Sequence, residues 1–432
     1  MGLVSTLGFL ASCSPKPKEL VTITYAAGPL AKEQQALVRE VAAAFEKAFP
    51  HIHVEIKFER FDPLQPNLKT GPDVFLTSAD DLPAQVAKEA VVDVTPMSTI
   101  EKNLMDPFYP EIAAACKLDN RHYMMPVNFT MDVLFYNQDL LIQIMREQRV
   151  AVNLQDLDWE ALPQFAKAFV KKEGDRVVHY AFARPRPLLL IQSWGANPFA
   201  WNDVTIRNEQ VRKALLFYAS LATEHHLIPP PDSPEAAMLS IDLFKQQKVV
   251  MFVGPSELLA EADQIKDFKW DIAPAPKGPK RMQPGMPSPG SMEPPKPVEI
   301  WPRHGRLKVN GNCVWQNSTH FTEAWELTKF FSSEPAQRIF ARVRGGMPAA
   351  KAVAEGTEFL RKPPEHVEVL ISSRQHSRLE NPHNLTFFQE FCEQAFDGTT
   401  DQLLRGKLTV DQAIDEMEAY GKSLMEQAKT KK

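Results

Sequence analysis

The chain has 432 residues, of which 44% are hydrophobic and 24% charged, with a formal net charge of -5 at pH 7. This length exceeds the roughly 250 to 300 residues at which single cores stop growing, so at least two cores are expected. The small net charge argues against a polyanion as partner. With 18 Gly and 36 Pro, the sequence has no glycine-rich phosphate loop, His-Glu-x-x-His or Cys-x-x-Cys motif.

The N-terminus predicts a lipid anchor. Met1 to Ser12 is apolar and uncharged, and it leads through Leu10-Ala11-Ser12 into Cys13. Small residues before a cysteine resemble the bacterial lipoprotein signal, in which Cys13 is acylated and residues 1–20 form signal and tether. The basic segment of a secretory signal is missing, so a chance cysteine in a frayed terminus is the alternative. No apolar run reaches the ~18 residues of a membrane-spanning helix.

The remaining cysteines are Cys116, Cys313 and Cys392. Their number is odd and their spacing is wide, so they predict neither a disulfide framework nor a metal site. We expect buried thiols, of which at most one pair could bridge.

The first elements predict an α/β unit. Val21 to Tyr25 is a short strand, and apolar residues from Leu37 to Phe49 recur at helical spacing until Pro50 ends the helix. Ile52 to Phe58 alternates apolar and polar residues, which predicts a strand with His53 on its solvent face. Asp73 to Thr77 is a continuous apolar strand of the kind buried in parallel sheets. This order predicts a βαβ start.

The stretch from Lys117 to Leu141 predicts two strands of a hinge. Asp119-Asn120 is typical of a turn, and the strand from Tyr123 to Val127 contains Pro126, which removes a hydrogen-bond donor. A second strand is predicted from Val133 to Tyr136. Any internal strand pair of an α/β protein is the alternative interpretation.

Further segments follow in an order that is informative as a set: Phe45-Glu46-Lys47, Gly71-Pro72-Asp73-Val74, Val91-Val92-Asp93-Val94-Thr95-Pro96, Asp158-Trp159-Glu160, Asn208-Glu209, Phe244 to Pro255, and Trp270 to Pro279. Together with Pro126 and Tyr136-Asn137, they resemble extracellular solute-binding proteins of the family 1 type, the sugar receptors of ABC importers. The resemblance spans nearly the whole mature chain. It implies an α/β, two-lobe periplasmic-binding-protein-like clamp, each lobe a mixed sheet flanked by helices, joined by crossing hinge strands.

The resemblance also predicts how the lobes divide the chain. Residues 21–127 with 277–347 form the first lobe, and residues 128–276 with 348–432 form the second. One departure is the dense Pro, Gly, Met and Lys composition of residues 274–302, which favours an extended or mobile surface insertion. A linker between independent domains is the alternative.

A sugar site needs aromatic rings for C–H faces and carboxylates, amides or Arg for hydroxyls. Loops that face the ligand in the family correspond here to these candidate residues: Tyr25, Asp80, Asn128, Arg184, Arg186, Trp194, Trp201, Gly254 and Phe388. Each has a structural alternative: Tyr25 and Phe388 in a core, Asp80 as a helix cap, and the arginines in a solvated loop. Arg184-Pro185-Arg186 departs from the family pattern and also suits a carboxylate. Ser256 replaces a family aromatic residue.

The resemblance implies a lipid-anchored, monomeric binding protein in the periplasm or at the cell surface. It would capture a sugar or a sugar acid by lobe closure and deliver it to the membrane subunits of an ABC importer, without cofactor, metal, nucleic acid or enzymatic activity. A hydrolase is one alternative, with Asp80, Asp132 and His225-His226 as its only acid/base candidates. A sensor or adaptor for a membrane receptor is another. The sequence does not name the ligand.

Overall fold

A computed structural model describes residues 19–65, 68–174, 176–200, 203–283, 298–300, 302–381 and 384–430. Cys13, Trp201 and residues 284–297 of the Pro-rich insertion lie outside the described residues. The lipidation, ligand-contact and mobility predictions made for them therefore stay predictions.

Strands and helices alternate along the chain. The strands are β1 Val21–Ala26, β2 Ile52–Lys57, β3 Val74–Ser78, β4 Lys117–Leu118, β5 Arg121–His122, β6 Met125–Asn137, β7 Lys171–Glu173, β8 Arg176–Phe182, β9 Phe199–Ala200, β10 Asp203–Val204, β11 Val249–Pro255, β12 Trp270–Pro274, β13 Arg281–Gln283, β14 Val298–Ile300, β15 Gly305–Val314, β16 Met347–Pro348 and β17 Ser377–Leu379.

The helices pack on these strands. They are α1 Lys32–Ala48, α2 Leu82–Ala87, α3 Thr95–Ile100, α4 Pro110–Ala115, α5 Gln138–Gln148, α6 Leu162–Ala166, α7 Pro187–Ser193, α8 Glu209–Thr223, α9 Ser240–Lys245, α10 Leu259–Ala262, α11 Phe321–Ser332, α12 Glu334–Ala341, α13 Lys351–Ala354, α14 Val369–Ser373, α15 Phe388–Phe391, α16 Gly398–Leu404 and α17 Val410–Thr430.

The predicted βαβ start is confirmed. β1 lies between β2 and β3 and is parallel to both, and β15 runs antiparallel to β3. Helix α1 buries Val38, Val41 and Phe45 in a cluster with β1 and β2, as the apolar spacing of its sequence requires. His53 lies on the solvent face of β2, as predicted, and its Nδ1 is 2.8 Å from Glu46 Oε1.

The two predicted hinge strands are one continuous strand, β6. Its first half pairs with β15, and its second half pairs with β11 and β12. The expected break is absent because the polar residues between the two apolar stretches alternate with apolar ones, which is the period-two pattern of a strand with one polar face. Pro126 lies opposite Gly311, where the register of β15 shifts, so the missing N–H coincides with an irregularity in the ladder.

Strand β6 connects two sets of strands. On one side the sheet continues through β15, β3, β1 and β2; on the other it continues through β11, β8 and β7. Apolar clusters cover both faces of this sheet. The arrangement positions the loops after β1, β2 and β3 opposite the segment that contains α15. The residue boundaries predicted for the lobes stay a prediction.

Several local predictions from the sequence are also confirmed. Asp119 and Asn120 have positive φ angles of 49° and 63° in the turn between β4 and β5. Cys116, Cys313 and Cys392 are free thiols, the first two buried. None of the described helices combines the length and the apolar character that crossing a membrane requires.

Candidate functional site: a cleft between two walls

A cleft of about 480 Å³ lies at the carboxyl ends of the parallel strands β1, β2 and β3. One wall consists of the loops after these strands, at residues 28–29, 60–64 and 78–81, and the opposite wall consists of residues 386–393. Ligands of open α/β sheets bind beyond the carboxyl ends of the strands. The position and the volume of the cleft are therefore those of a small-molecule site.

The floor of the cleft is formed by one face of β15. Arg306, Lys308 and Asn310 alternate along this strand and line the cleft, because side chains two residues apart share a face. The intervening Leu307 and Val309 are buried in the apolar core. The sequence of β15 therefore presents two cations and an amide to a bound ligand.

A buried network of charges links the floor to Asp80 on one wall and to Glu380, which follows β17. Arg306 Nε is 3.0 Å from Glu380 Oε2, and Arg306 Nη2 is 3.6 Å from Asp80 Oδ2. Arg186 Nη2 is 2.7 Å from Glu380 Oε1. The carboxylates of Asp80 and Glu380 are almost fully buried, each with 2% of the side chain exposed. Asp132 Oδ2 accepts a hydrogen bond of 3.2 Å from the backbone N–H of Arg306.

Of the three buried carboxyls of this network, Asp80 and Glu380 have pKa values that are shifted in opposite directions. Burial raises the pKa of Asp80 to about 6, and Arg306 only partly opposes that shift. Burial also acts to raise the pKa of Glu380, but the adjacent Arg186 and Arg306 outweigh it and hold that pKa below its usual value. A carboxyl between two guanidinium groups is thus kept charged, while its neighbour takes up a proton more readily.

Aromatic side chains lie on both walls. Phe61 packs edge-on against Phe75, and Phe387 and Phe388 line the opposite wall. The ring of Phe388 is buried against Phe199, with 5.2 Å between ring centroids, whereas Phe387 is only partly buried. Residues 392–397 directly after α15 form a π-helical turn, a feature often found at functional sites.

The structure brings only some of the predicted site residues to this cleft. Asp80 and Phe388 line it, and Arg186 contacts it through Glu380. The alternative that Asp80 caps the following helix does not hold, since its carboxyl faces Arg306 and α2 has no side-chain cap.

The other predicted site residues that the structure describes do not line this cleft. The Tyr25 hydroxyl donates to Asn312 Oδ1 at 3.0 Å inside the core, and Asn128 Oδ1 accepts from Asn310 Nδ2 at 2.9 Å. Arg184 Nη1 is 3.4 Å from Asp401 Oδ1. Trp194 is 7% exposed and packs on Phe217 at 4.8 Å between centroids. Gly254 is buried, and a Cβ there would lie 2.7 Å from the Phe252 ring.

Sequence reasoning missed Arg60, Arg306, Lys308 and Glu380. The alternation of Arg306, Lys308 and Asn310 with apolar residues is a period-two signal that marks the polar face of a strand. No comparable local signal marks Glu380, because its role depends on β17 pairing in parallel with the start of β15.

The acid/base candidates of the hydrolase alternative are not gathered at one place. His226 Nδ1 is 3.0 Å from the Ala222 carbonyl at the end of α8, and His225 Nδ1 is 3.9 Å from Glu224. Asp80 and Asp132 belong to the charge network of the cleft. Within the described ranges, no three His, Cys, Asp or Glu side chains are placed to hold a metal ion.

Residues 40–367 match the sequence model of the bacterial extracellular solute-binding proteins. The chain belongs to this family. The polar face of β15 and the cleft residues from 60 to 85 lie within the matched segment, whereas residues 28–29 and 386–393 lie outside it.

Solved structures of the same fold cover nearly the whole chain. An ABC substrate-binding protein of Listeria monocytogenes, in complex with cycloalternan, has 20% identity and a TM-score of 0.77, with 94% of this chain and 99% of that chain covered. Maltose-bound MalE3 of T. maritima has 20% identity and a TM-score of 0.72 over 94% and 100%. The GacH receptor of Streptomyces glaucescens, studied with acarbose, has 16% identity and a TM-score of 0.74 over 95% and 99%. These similarities confirm the two-lobe α/β clamp fold.

Proposed function

We propose that this solute-binding protein captures a carbohydrate in the cleft and delivers it to an ABC importer. The observation that carries the proposal is a polar cleft in a member of this family, with walls from residues 28–85 and 386–393 that are far apart in the chain. A ligand that contacts both walls favours the closed arrangement over the open one. The fold neighbours in complex with cycloalternan and maltose support a carbohydrate as ligand.

The charges of the cleft favour a neutral sugar over a sugar acid. Its lining has three basic side chains, Arg60, Arg306 and Lys308, and five acidic ones, at positions 62, 80, 81, 390 and 393. Arg306 is already paired with Glu380. Carboxylates, amides and guanidinium groups hydrogen-bond sugar hydroxyls, and the exposed part of Phe387 offers an apolar surface for a C–H face.

A thermal-shift screen against neutral sugars, oligosaccharides and sugar acids tests the proposal. A ligand that binds the folded chain raises the unfolding midpoint by mass action. We expect neutral sugars to give the largest shifts. A panel in which no carbohydrate shifts the midpoint contradicts the proposal.

The same panel separates binding from hydrolysis. We propose that the chain is not an enzyme, because the acid/base candidates Asp80 and Asp132 are both engaged with Arg306 and the two histidines lie elsewhere. Chromatography of each sugar after long incubation should recover it unchanged. A product formed by the wild type contradicts this proposal.

Membrane anchoring through Cys13 and a position in the periplasm or at the cell surface complete the proposed function. The support is the Leu10-Ala11-Ser12-Cys13 sequence and a family described as extracellular. Expressed in a bacterium behind a complete signal, the wild type should fractionate with membranes and Cys13→Ala should not. Equal membrane association of the wild type and Cys13→Ala contradicts the anchor.

A monomeric state is also part of the proposal and can be checked by light scattering.

A further inference from the structure

A second cavity, of about 850 Å³, lies outside the cleft. Its walls come from α4, from the end of α7 with the loop that follows it, from Arg281 of β13, and from residues 374–379 around β17.

Strand β15 separates the second cavity from the cleft. Arg306, Lys308 and Asn310 point into the cleft, whereas Leu307 points into the second cavity, as alternation along a strand requires. The two cavities share no lining residue. The second cavity is therefore a distinct space and not an extension of the cleft.

Positive charge dominates the second cavity. Arg281, Arg374 and Arg378 line it, and Glu111 is the acidic side chain among its lining residues. Glu111 forms an ion pair with Arg374. Arg378 Nη1 donates to the carbonyl oxygens of Gln375 and Ser377, each at 2.8 Å, and Arg378 forms no ion pair with a carboxylate among the described residues.

Two histidines near the second cavity, His304 and His376, have lowered pKa values. Burial, reinforced by Arg378, lowers the pKa of His304 to about 4. Burial together with Arg303 and Arg378 lowers the pKa of His376. His304 is thus neutral near pH 7, so one of its ring nitrogens can donate a hydrogen bond without adding charge.

Polar atoms in the lining lack partners among the described residues. His304 Nε2, Arg374 Nε and Gln192 Oε1 are buried and make no hydrogen bond there. Leaving such groups unsatisfied is costly. A ligand with several acceptor oxygens would satisfy Arg374 Nε and, in the tautomer that carries its proton on Nε2, His304, and a ligand hydroxyl would satisfy the Gln192 amide oxygen.

The loop after α7 is shaped around the guanidinium of Arg281. A Cβ on Gly195 would lie 1.5 Å from Arg281 Nη1, and Gly195 has a φ of +83°. The positive φ favours glycine at this position. The guanidinium of Arg281 lies against this loop at the rim of the cavity, and its side chain is exposed.

We propose that this cavity is a second binding site, for a small anion that carries phosphate or carboxylate groups. Guanidinium forks match the oxygens of both groups. The site goes beyond the carbohydrate function of the cleft and does not depend on it.

Titration calorimetry with inorganic phosphate and with citrate tests the site. The titrations contain no sugar, and sodium chloride holds the ionic strength constant. Wild type should bind at least one of them saturably, and the stronger binder identifies the preferred anionic group. Arg378→Gln and Arg281→Gln should each weaken that binding about tenfold or more, the effect expected for a lost charge-assisted hydrogen bond. Glu111→Gln should strengthen it, because Arg374 is then released from its ion pair.

Two controls make these outcomes decisive. Arg121→Gln removes a cation whose side chain is 67% exposed elsewhere on the surface, and it should leave anion binding unchanged. Circular dichroism confirms that each variant is folded. The proposal is overturned if the wild type binds neither anion saturably. It is also overturned if Arg378→Gln and Arg281→Gln each bind the anion as tightly as the wild type. Neither result bears on carbohydrate binding in the cleft.

Discussion

The buried carboxyl of Asp80 makes the free energy of unfolding depend on pH. Its pKa is raised to about 6 by burial, while an unfolded Asp titrates near 3.9. Between these values the folded state binds more protons than the unfolded state, so the free energy of unfolding falls as pH rises from about 4 to 6. At about 1.36 kcal/mol for each pKa unit, Asp80 costs the folded state roughly 1 to 3 kcal/mol at pH 7.

Asp80→Asn should remove this cost. Without ligand, the variant should be more stable than wild type at pH 7 and nearly equal to it at pH 4, as measured by urea unfolding at each pH. Arg306 keeps its ion pair with Glu380 in the variant. Asp119→Asn, at an exposed turn, controls for the change in net charge. A stability difference that is the same at both pH values would contradict the role assigned to Asp80.

Trp194 separates two interpretations of one aromatic side chain. The sequence predicts that it stacks on a sugar, yet its ring is buried beside Phe217. We expect Trp194→Ala to lower the free energy of unfolding by roughly 3 to 5 kcal/mol, as a large-to-small core change does, with unchanged affinity per folded molecule. Leu239→Ala, at a position 68% exposed, is the control. Normal stability with weakened sugar binding would restore the stacking hypothesis.

At the scale of elements, α17 is fixed at its start by a capping box that the sequence predicts. Gln412 N donates to Thr409 Oγ1 at 3.3 Å, and Thr409 N donates to Gln412 Oε1 at 2.8 Å. Thr409→Ala should cost about 1 kcal/mol in chemical unfolding. Thr409→Ser keeps the hydroxyl and should remain close to wild type. Equal losses in both variants would show that the cap hydrogen bond is not responsible.

Local patterns predicted the elements better than their connections. The βαβ start follows from residue spacing in β1, α1 and β2, since each of these signals lies within a few residues. The continuity of β6 did not follow, because Asn128, Thr130 and Asp132 look like a polar break. Their tolerance in the strand depends on partners distant in sequence, such as Asn310 for Asn128 and the Arg306 backbone for Asp132.

At the scale of the whole molecule, the family signatures predicted the clamp, but only part of the lining of its cleft. Asp80 and Phe388, which line the cleft, were predicted because they follow a strand and a landmark segment, and their contact with a ligand stays a prediction. Glu380 and Arg306 could not be paired from sequence, because their contact arises from the parallel pairing of β17 with β15. Trp194 was assigned to the site by resemblance. Its packing against Phe217 is a tertiary contact, which the local sequence does not predict.

The central claim is that one carbohydrate bridges both walls of the cleft. Titration calorimetry of the sugar selected by the thermal-shift screen tests it most directly, with Arg60→Gln on one wall and Phe387→Ala on the other. A charge-assisted hydrogen bond is worth about 1.5 to 3 kcal/mol and an aromatic contact about 0.5 to 1.5 kcal/mol. We therefore predict losses of affinity of about tenfold or more and of severalfold, respectively, with Arg121→Gln unchanged. Wild-type affinity in both wall variants would contradict the account.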